Sequence, residues 1–395
     1  MHLGIKQSFS GSVGDYLLSL ASLGQFFLTA LQNFLIDSGI CSEELAGTLR
    51  VLGSAILVLI SIYWIIRRKV LMFIGCYSIL IILFFLSSAM NIENLEYILS
   101  DGVRITFCTV VPVFLSFISV CNIHIFYRTA LFVSLATSVI GLLYLYYSLS
   151  DMLPAKDVYN MSIGYSLLFP SLFLYFTKRP FFIFIAILLF IVIFLEGSRG
   201  PLIPIACYIL FQKLIGSSFK NNFLFLFVLL FSISTIINFQ SFFIDLFEKM
   251  NLHSRTFALL ISGEVSGDSG RGDIYNLMIS KLFENPYWGY GVFGDRTLGD
   301  GSYCHNIFLE IMLDFGCFVP VLFILVFGAL LVVILPKLEK SELIFFVLLS
   351  LSSILPLCLS GSYLTDFKFP LFLGYVYILR KKYMPIKVGV WQSNN

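Results

Sequence analysis

The chain has 395 residues, of which 58% are hydrophobic and only 12% charged, with a mean hydropathy of +0.94. A soluble domain carries about 25% charged residues, so this composition excludes an ordinary soluble globule and predicts an all-α polytopic membrane protein. A net charge of +2 says nothing about nucleic acid, but no basic run is suited to it, so no nucleic-acid partner is expected.

A bilayer-spanning helix needs about 20 mostly apolar residues. Segments of that kind, in chain order, are 16–36, 46–66, 70–88, 103–122, 129–148, 160–177, 180–195, 201–215, 223–237, 306–335, 342–360 and 366–380, so about twelve spans are predicted. The first is interrupted by Gln25, Gln32 and Asn33, and the eighth is short. The N-terminus, MHLGIKQSFSGSVGD, lacks the charged-then-apolar pattern of a cleaved signal peptide, so the first segment is expected to be retained. The eight Cys are scattered without CxxC or Cys/His metal spacing and are expected as small buried hydrophobes.

Lys and Arg collect in every second connection: Arg67, Arg68 and Lys69; Arg128; Lys178 and Arg179; Lys213 and Lys220; Lys337 and Lys340; and Arg380, Lys381 and Lys382. The connections between them hold Asp37, Glu43 and Glu44, then Glu93, Glu96 and Asp101, then Asp151 and Asp157. Basic loops stay cytoplasmic, which predicts cytoplasmic termini and puts the long polar stretch 238–305 on the other side. No repeat or linker divides the chain, so residues 1–395 are expected as a single membrane domain with that loop within it.

An irregular polar stretch of this length belongs outside the hydrocarbon and is usually functional or disordered. Its Trp288, Tyr and Phe residues and amphipathic run favour function. Three constellations stand at or beside it. In Glu196-Gly-Ser-Arg-Gly-Pro201, Pro201 suits a first helical turn and Gly200 permits close approach, so Arg199 stands at a helix start that favours anions. A phosphate clamp and an interfacial Arg pairing with lipid head groups or Glu196 fit that local sequence equally. In the second, Ile274, Leu277, Met278, Leu282 and Phe283 fall at helical spacing, predicting a short helix on the membrane surface with Arg271 at its start and its end before Pro286. Trp288 and Tyr290, which follow, suit either sugar stacking or interfacial anchoring. In the third, Asn306 is placed to N-cap a helix with His305 at its mouth. His moves protons near neutral pH, although a lone His is more often structural. Glu310 and Asp314 share a face of that helix. Three roles are open to them: steadying His305, binding sugar hydroxyls, or pairing with Arg50 or Arg104. Asp268, Asp273, Asp295 and Asp300 fit no metal-binding pattern and are expected as solvated turn residues. Arg199, Arg271 and His305 together would make a positive pocket suited to a lipid-linked pyrophosphate.

At these residues the chain resembles the O-antigen polymerase/O-antigen ligase superfamily of bacterial surface-polysaccharide assembly. The matching pieces are GSRGPL (197–202), SGRGDIY (269–275), ENPYWGYGVFG (284–294) and HNIFLE (305–310), and their order and spacing carry the resemblance across residues 160–335. It implies an inner-membrane, metal-independent and cofactor-free glycosyltransferase with an undecaprenyl-diphosphate-linked glycan as donor. In that reading Arg199 and Arg271 hold the diphosphate, His305 activates the acceptor, the site faces the periplasm, and a chain-length regulator is a further partner. Polymerase and ligase share these motifs; the Phe-rich composition and the GSRGP form favour polymerase. A flippase or other transporter is the reading from another class. Such proteins tend to show repeated halves and midplane sites, whereas here the polar groups gather in one late loop.

Overall fold

The computed structural model describes residues 9–150, 161–195, 199–216 and 271–385, and among them every regular element is helical. The expected span at 223–237 and the loop residues 238–270 lie outside the described residues. Among the described residues six helices are long and apolar enough to cross a membrane, and three more are apolar but shorter.

Helix α1 (Phe9–Asp37) leads into α2 (Glu43–Met90), which Ser42 caps by accepting a hydrogen bond from the Leu45 amide at 3.3 Å. At about 1.5 Å per residue, α2 would measure about 72 Å, over twice the ~30 Å hydrocarbon core. It breaks at Lys69, whose φ of −144° and ψ of 40° are not helical. Before Lys69 the chain runs antiparallel to α1: Arg50 Nη1 donates to Gln32 Oε1 (3.0 Å), Ser54 Oγ to Gln25 Oε1 (3.0 Å), and Arg68 pairs with Asp15. After Lys69 it runs antiparallel to α3 (Asn94–Ser119), with the Tyr77 hydroxyl on the Phe107 carbonyl (3.2 Å) and Asn94 Nδ2 on Ser87 Oγ (3.1 Å). Helix α3 ends where α1 begins, since Arg68 Nη1 also donates to the Ser119 carbonyl at 2.9 Å. The chain therefore reverses at the basic Arg67–Lys69 corner, and the segments expected at 46–66 and 70–88 are joined there by a single non-helical residue. Helix α3 starts nearer Asn94 than the expected 103, and its stretch Ile98–Val110 winds as a π-helix.

Helix α4 (Ile123–Leu149) is capped by Asn122, whose Oδ1 accepts from the His124 amide at 2.9 Å. Helices α5 (Met161–Phe176), α6 (Pro180–Leu195) and α7 (Arg199–Gly216) follow. The late loop holds α8 (Arg271–Glu284) and the five-residue α9 (Gly294–Leu298). Helices α10 (Ile307–Phe315), α11 (Phe318–Ile334), α12 (Lys340–Leu359) and α13 (Lys368–Tyr383) complete the bundle.

The main core joins α1, α4, α5, α12 and α13 through packed rings: Phe26 stacks on Phe169 at 4.5 Å, and the half-buried Tyr127 meets Phe345 edge-on at 5.0 Å. Because lipid tails are as apolar as this core, the helices associate through close packing rather than escape from water. The same physics overturns the expectation for the cysteines. Only Cys304 is buried; Cys108, Cys121 and Cys207 are exposed and the rest half-buried, since in lipid no gradient drives a small apolar side chain inward.

The two ends of the bundle differ. Arg68, Asp15 and Ser119 meet at one end, where Lys340 Nζ also approaches the Ile215 carbonyl (3.5 Å) and Lys382 pairs with Glu342 (2.7 Å). The described part of the late loop, from residue 271 on, packs at the opposite end.

The segment expected as one helix over 306–335 is two. Gly316 separates them with φ 75° and ψ 173°, a conformation restricted to glycine. A Cβ there would stand 2.1 Å from the Tyr287 carbonyl oxygen, while the Cys317 amide donates to the Pro286 carbonyl at 2.9 Å. The break lets the loop backbone dock against the gap. Gly316→Ala is expected to destabilise the fold by at least about 1–3 kcal/mol through backbone strain, seen as a lower thermal midpoint in detergent than the parent chain.

Candidate active site

The late loop is not laid out on a surface. Met278 of α8 is fully buried against Cys304 and Leu313, with Ile274 and Leu282 packed beside it, whereas Leu277 and Phe283 face outward. Helix α8 therefore docks on α10, which corrects the expectation of a helix lying only on lipid. Past it, the loop backbone pairs with the α10 end: the Tyr290 amide donates to the Leu313 carbonyl (2.6 Å) and that of Gly291 to the Asp314 carbonyl (3.0 Å). Asn94 Nδ2 holds the Tyr290 carbonyl (2.8 Å), and Ser87 Oγ the Val292 carbonyl (2.9 Å).

Arg296 is the buried charge at the centre of this docking, 5% exposed. It faces Asp295 (3.5 Å), Asp101 of α3 (3.6 Å) and Glu310 of α10 (3.9 Å), and lies over the rings of Phe293 and Tyr303. Asp295 is fully buried, so it is not the solvated turn residue expected of it. Its Oδ2 accepts from the Cys304 amide (3.0 Å) and its Oδ1 from the Arg296 amide (2.9 Å). Burial pushes its carboxyl above the usual range, against the pull of Arg296 and these two amides. Asp273 and Asp300 are exposed, as expected, and Asp268 lies outside the described residues.

Holding Cys304 fixes its neighbour. His305 has φ 53°, an uncommon left-handed conformation for a side-chain-bearing residue, of the kind that gathers at functional sites. Its ring is half-buried, 4.1 Å from the Tyr303 ring, with Nδ1 buried and without a partner. Asn306 caps α10, accepting from Phe308 (3.0 Å) and Leu309 (3.3 Å). Arg271 stands at the α8 start, Nη1 on the Leu359 carbonyl at the end of α12 (2.6 Å), close enough to act on the imidazole. Burial first, and Arg271 second, hold the His305 pKa below the usual value.

The start of α7 comes to the same end of the bundle. A Cβ on Gly200 would stand 1.8 Å from the Tyr165 hydroxyl oxygen, and Tyr165 of α5 is in electrostatic reach of Arg271 and Tyr303. The backbone of Arg199, one residue before Gly200, thus lies on the His305 side of the bundle; its side chain is outside what the structure describes. Beside Tyr165, Lys368 Nζ pairs with Asp366 at 3.0 Å.

Other expected site residues have different partners. Glu310 and Asp314 are buried and pair with neither Arg50 nor Arg104. Glu310 accepts from the Ser362 hydroxyl and the Tyr363 amide (3.2 Å) and faces Arg296, and Asp314 accepts from the Tyr363 hydroxyl at 2.6 Å. Their side of α10 turns toward α12's following loop because an apolar helix end can bury carboxylates only where donors wait. Arg50 bonds Gln32 and is in reach of Asp366 and Arg104, while Arg104 is exposed beside Asp101 at 3.4 Å. Tyr290 spends its hydroxyl on the Lys281 carbonyl (2.9 Å), and Trp288 is 77% exposed near Tyr287, which stacks on Phe318.

Residues 184–324 match the O-antigen ligase family model. The matched stretch contains Arg199, Arg271 and His305 together, and it supports the resemblance to the O-antigen polymerase/ligase superfamily. No curated protein and no solved structure matches the chain.

Sequence reading missed Arg296, Tyr165, Asp366 and Lys368, and it left Asp295 in solvent. Nothing local distinguishes Asp295-Arg296 from an exposed loop pair. Asp366 and Lys368 did carry a signal, two ionisable residues at the start of an apolar segment. Among the described residues no group of three or more His, Cys, Asp or Glu is placed to hold a metal ion.

Arg296→Ala would leave Asp295 and Glu310 buried without their cation. Removing one partner of a buried ion pair costs about 3–5 kcal/mol. The thermal midpoint should fall, and the loop around 290–305 should become open to limited proteolysis while the helices before it stay protected.

Proposed function

We propose that the chain is an O-antigen polymerase joining undecaprenyl-diphosphate-linked repeat units at the periplasmic face of the inner membrane. The observation that carries this reading is the meeting of His305, Arg271 and the first turn of α7 at one end of the bundle, the end away from the Lys- and Arg-rich corners. The positive-inside bias makes that end the periplasmic one.

In this reading the acceptor sugar hydroxyl gives its proton to a neutral ring nitrogen of His305. Its oxygen attacks the anomeric carbon of the donor as the bond from that carbon to the phosphate oxygen breaks. Undecaprenyl diphosphate departs with the bonding pair. Arg199 and Arg271 face the charge that grows on the leaving group, and fixed donors aimed at developing charge are a large term in catalysis. No metal and no cofactor takes part. A chain-length regulator is a further partner.

A ligase transferring the glycan to the lipid A core is the second reading, favoured by the description of the family model. The lipopolysaccharide of the native host separates the two. Arg199→Ala should cost about 10²–10³ in rate and His305→Ala about 10²–10⁴. Loss of a polymerase leaves core plus one repeat and no ladder. Loss of a ligase leaves bare core, with long glycans accumulating on the undecaprenyl diphosphate carrier. A normal ladder from both variants, each inserted and expressed, would remove both assignments.

The pH dependence follows from the lowered His305 pKa. A depressed pKa keeps the imidazole neutral, and able to accept a proton, at lower pH. The acid limb of kcat/KM is therefore expected below the ordinary His value of about 6.5. Arg271→Gln removes the smaller of the two depressing effects, so residual activity should show the limb displaced upward but still short of that value.

A further inference from the structure

Lys368 is 8% exposed at the start of α13 and pairs with Asp366 at 3.0 Å. A buried ion pair is seldom a net gain over well-packed apolar side chains, so stability alone gives little reason for a lysine here. Its ammonium also lies 5.4 Å from the centre of the Tyr165 ring, the range of a cation–π contact. The Tyr165 hydroxyl in turn is wedged against Gly200, where any side chain would collide with it, and it also meets the Ser360 side chain within reach of the Asp366 carboxylate. That hydroxyl stands at the first turn of α7, beside the backbone of Arg199. Lys368, Tyr165 and Gly200 thus form a continuous line from the start of α13 to the start of α7. Arg271 and His305 stand on the same end of the bundle, with Nδ1 of His305 buried and unpartnered.

We infer that Tyr165 and Lys368 complete the phosphate site: the Tyr165 hydroxyl donates to a substrate phosphate oxygen, and Lys368, its charge balanced by Asp366, positions the ring. This rests on the function proposed above. Asp366 is the anchor that keeps Lys368 from reaching the phosphate directly, so Lys368 acts through the ring. The ligand class follows from the function proposed above, a polyprenyl diphosphate, of which this line of residues would meet only the phosphates.

The experiment measures binding of undecaprenyl diphosphate, with undecaprenol as the phosphate-free control, to the full-length protein in lipid nanodiscs. Tyr165→Phe and Lys368→Met should each weaken diphosphate binding roughly tenfold, the scale of one hydrogen bond to a charged group. The double variant should lose little more than either single one, since the two act as one unit. Lys368→Arg, which keeps the charge over the ring, should stay close to the parent. Undecaprenol binding should be unchanged in all of them. Unchanged diphosphate binding by Tyr165→Phe, with Arg271→Gln weakened, overturns the inference and leaves the proposed function standing. Unchanged binding by Arg271→Gln as well removes the diphosphate site itself. An equal loss for diphosphate and undecaprenol would also overturn the inference, because a packing role predicts that result.

Discussion

Taking a guanidinium out of water costs several kcal/mol unless charged and hydrogen-bonding groups replace the water it loses. Arg296 meets that condition only when three stretches come together. Asp101 arrives from α3, Asp295 from the loop and Glu310 from α10, with Phe293 and Tyr303 covering the faces of the cation. Once they meet, the loop has little freedom left. Asp295 holds the Cys304 amide, the next residue is His305, and Asn306 then starts α10. The position of the candidate base is thus set by a buried charge that does not itself face the site.

The arrangement also separates the charges. Three buried carboxylates at this end of the bundle are directed inward: Glu310 meets Ser362, Tyr363 and Arg296, Asp314 accepts from Tyr363 through one oxygen, and Asp295 meets two amides and Arg296, while Asp366 stays beside Lys368. Arg271 and His305 lie at the mouth of α10, and Tyr165 and Lys368 stand behind them. In the function proposed above, such a site would grip an anion more strongly than a neutral sugar. A low-dielectric surround of aromatic and aliphatic side chains strengthens each of those interactions relative to water.

Helix breaks make the site possible. A continuous helix over 306–335 would keep its backbone groups to itself and leave no gap at Tyr287. Gly316 opens one, and the Pro286 carbonyl and the Tyr290 and Gly291 amides enter it. Non-helical backbone so near the membrane is tolerated because protein groups satisfy it. The Lys69 corner works in the opposite sense, turning one long apolar helix back on itself at a basic triplet that suits a water-facing end.

Much of this was legible in the sequence because it depends on local or additive physics. Composition fixes a membrane protein, apolar runs mark α1 and α4 to α7, Asn306 and Pro201 mark helix starts, and the alternation of basic loops separates the two ends. The motifs around Arg199, Arg271 and His305 marked the residues of the matched family segment. What the sequence by itself could not determine is which polar side chains are buried, because burial depends on partners far along the chain. Asp295 reads as a turn residue until Cys304 and Arg296 close on it, and Glu310 reads as a ligand group until Ser362 and Tyr363 reach it across 52 and 53 residues. Tyr165 and Lys368 are 203 positions apart and meet only when α5 and α13 pack. A charge out of water needs its partners in three dimensions, and only the tertiary structure decides where they stand.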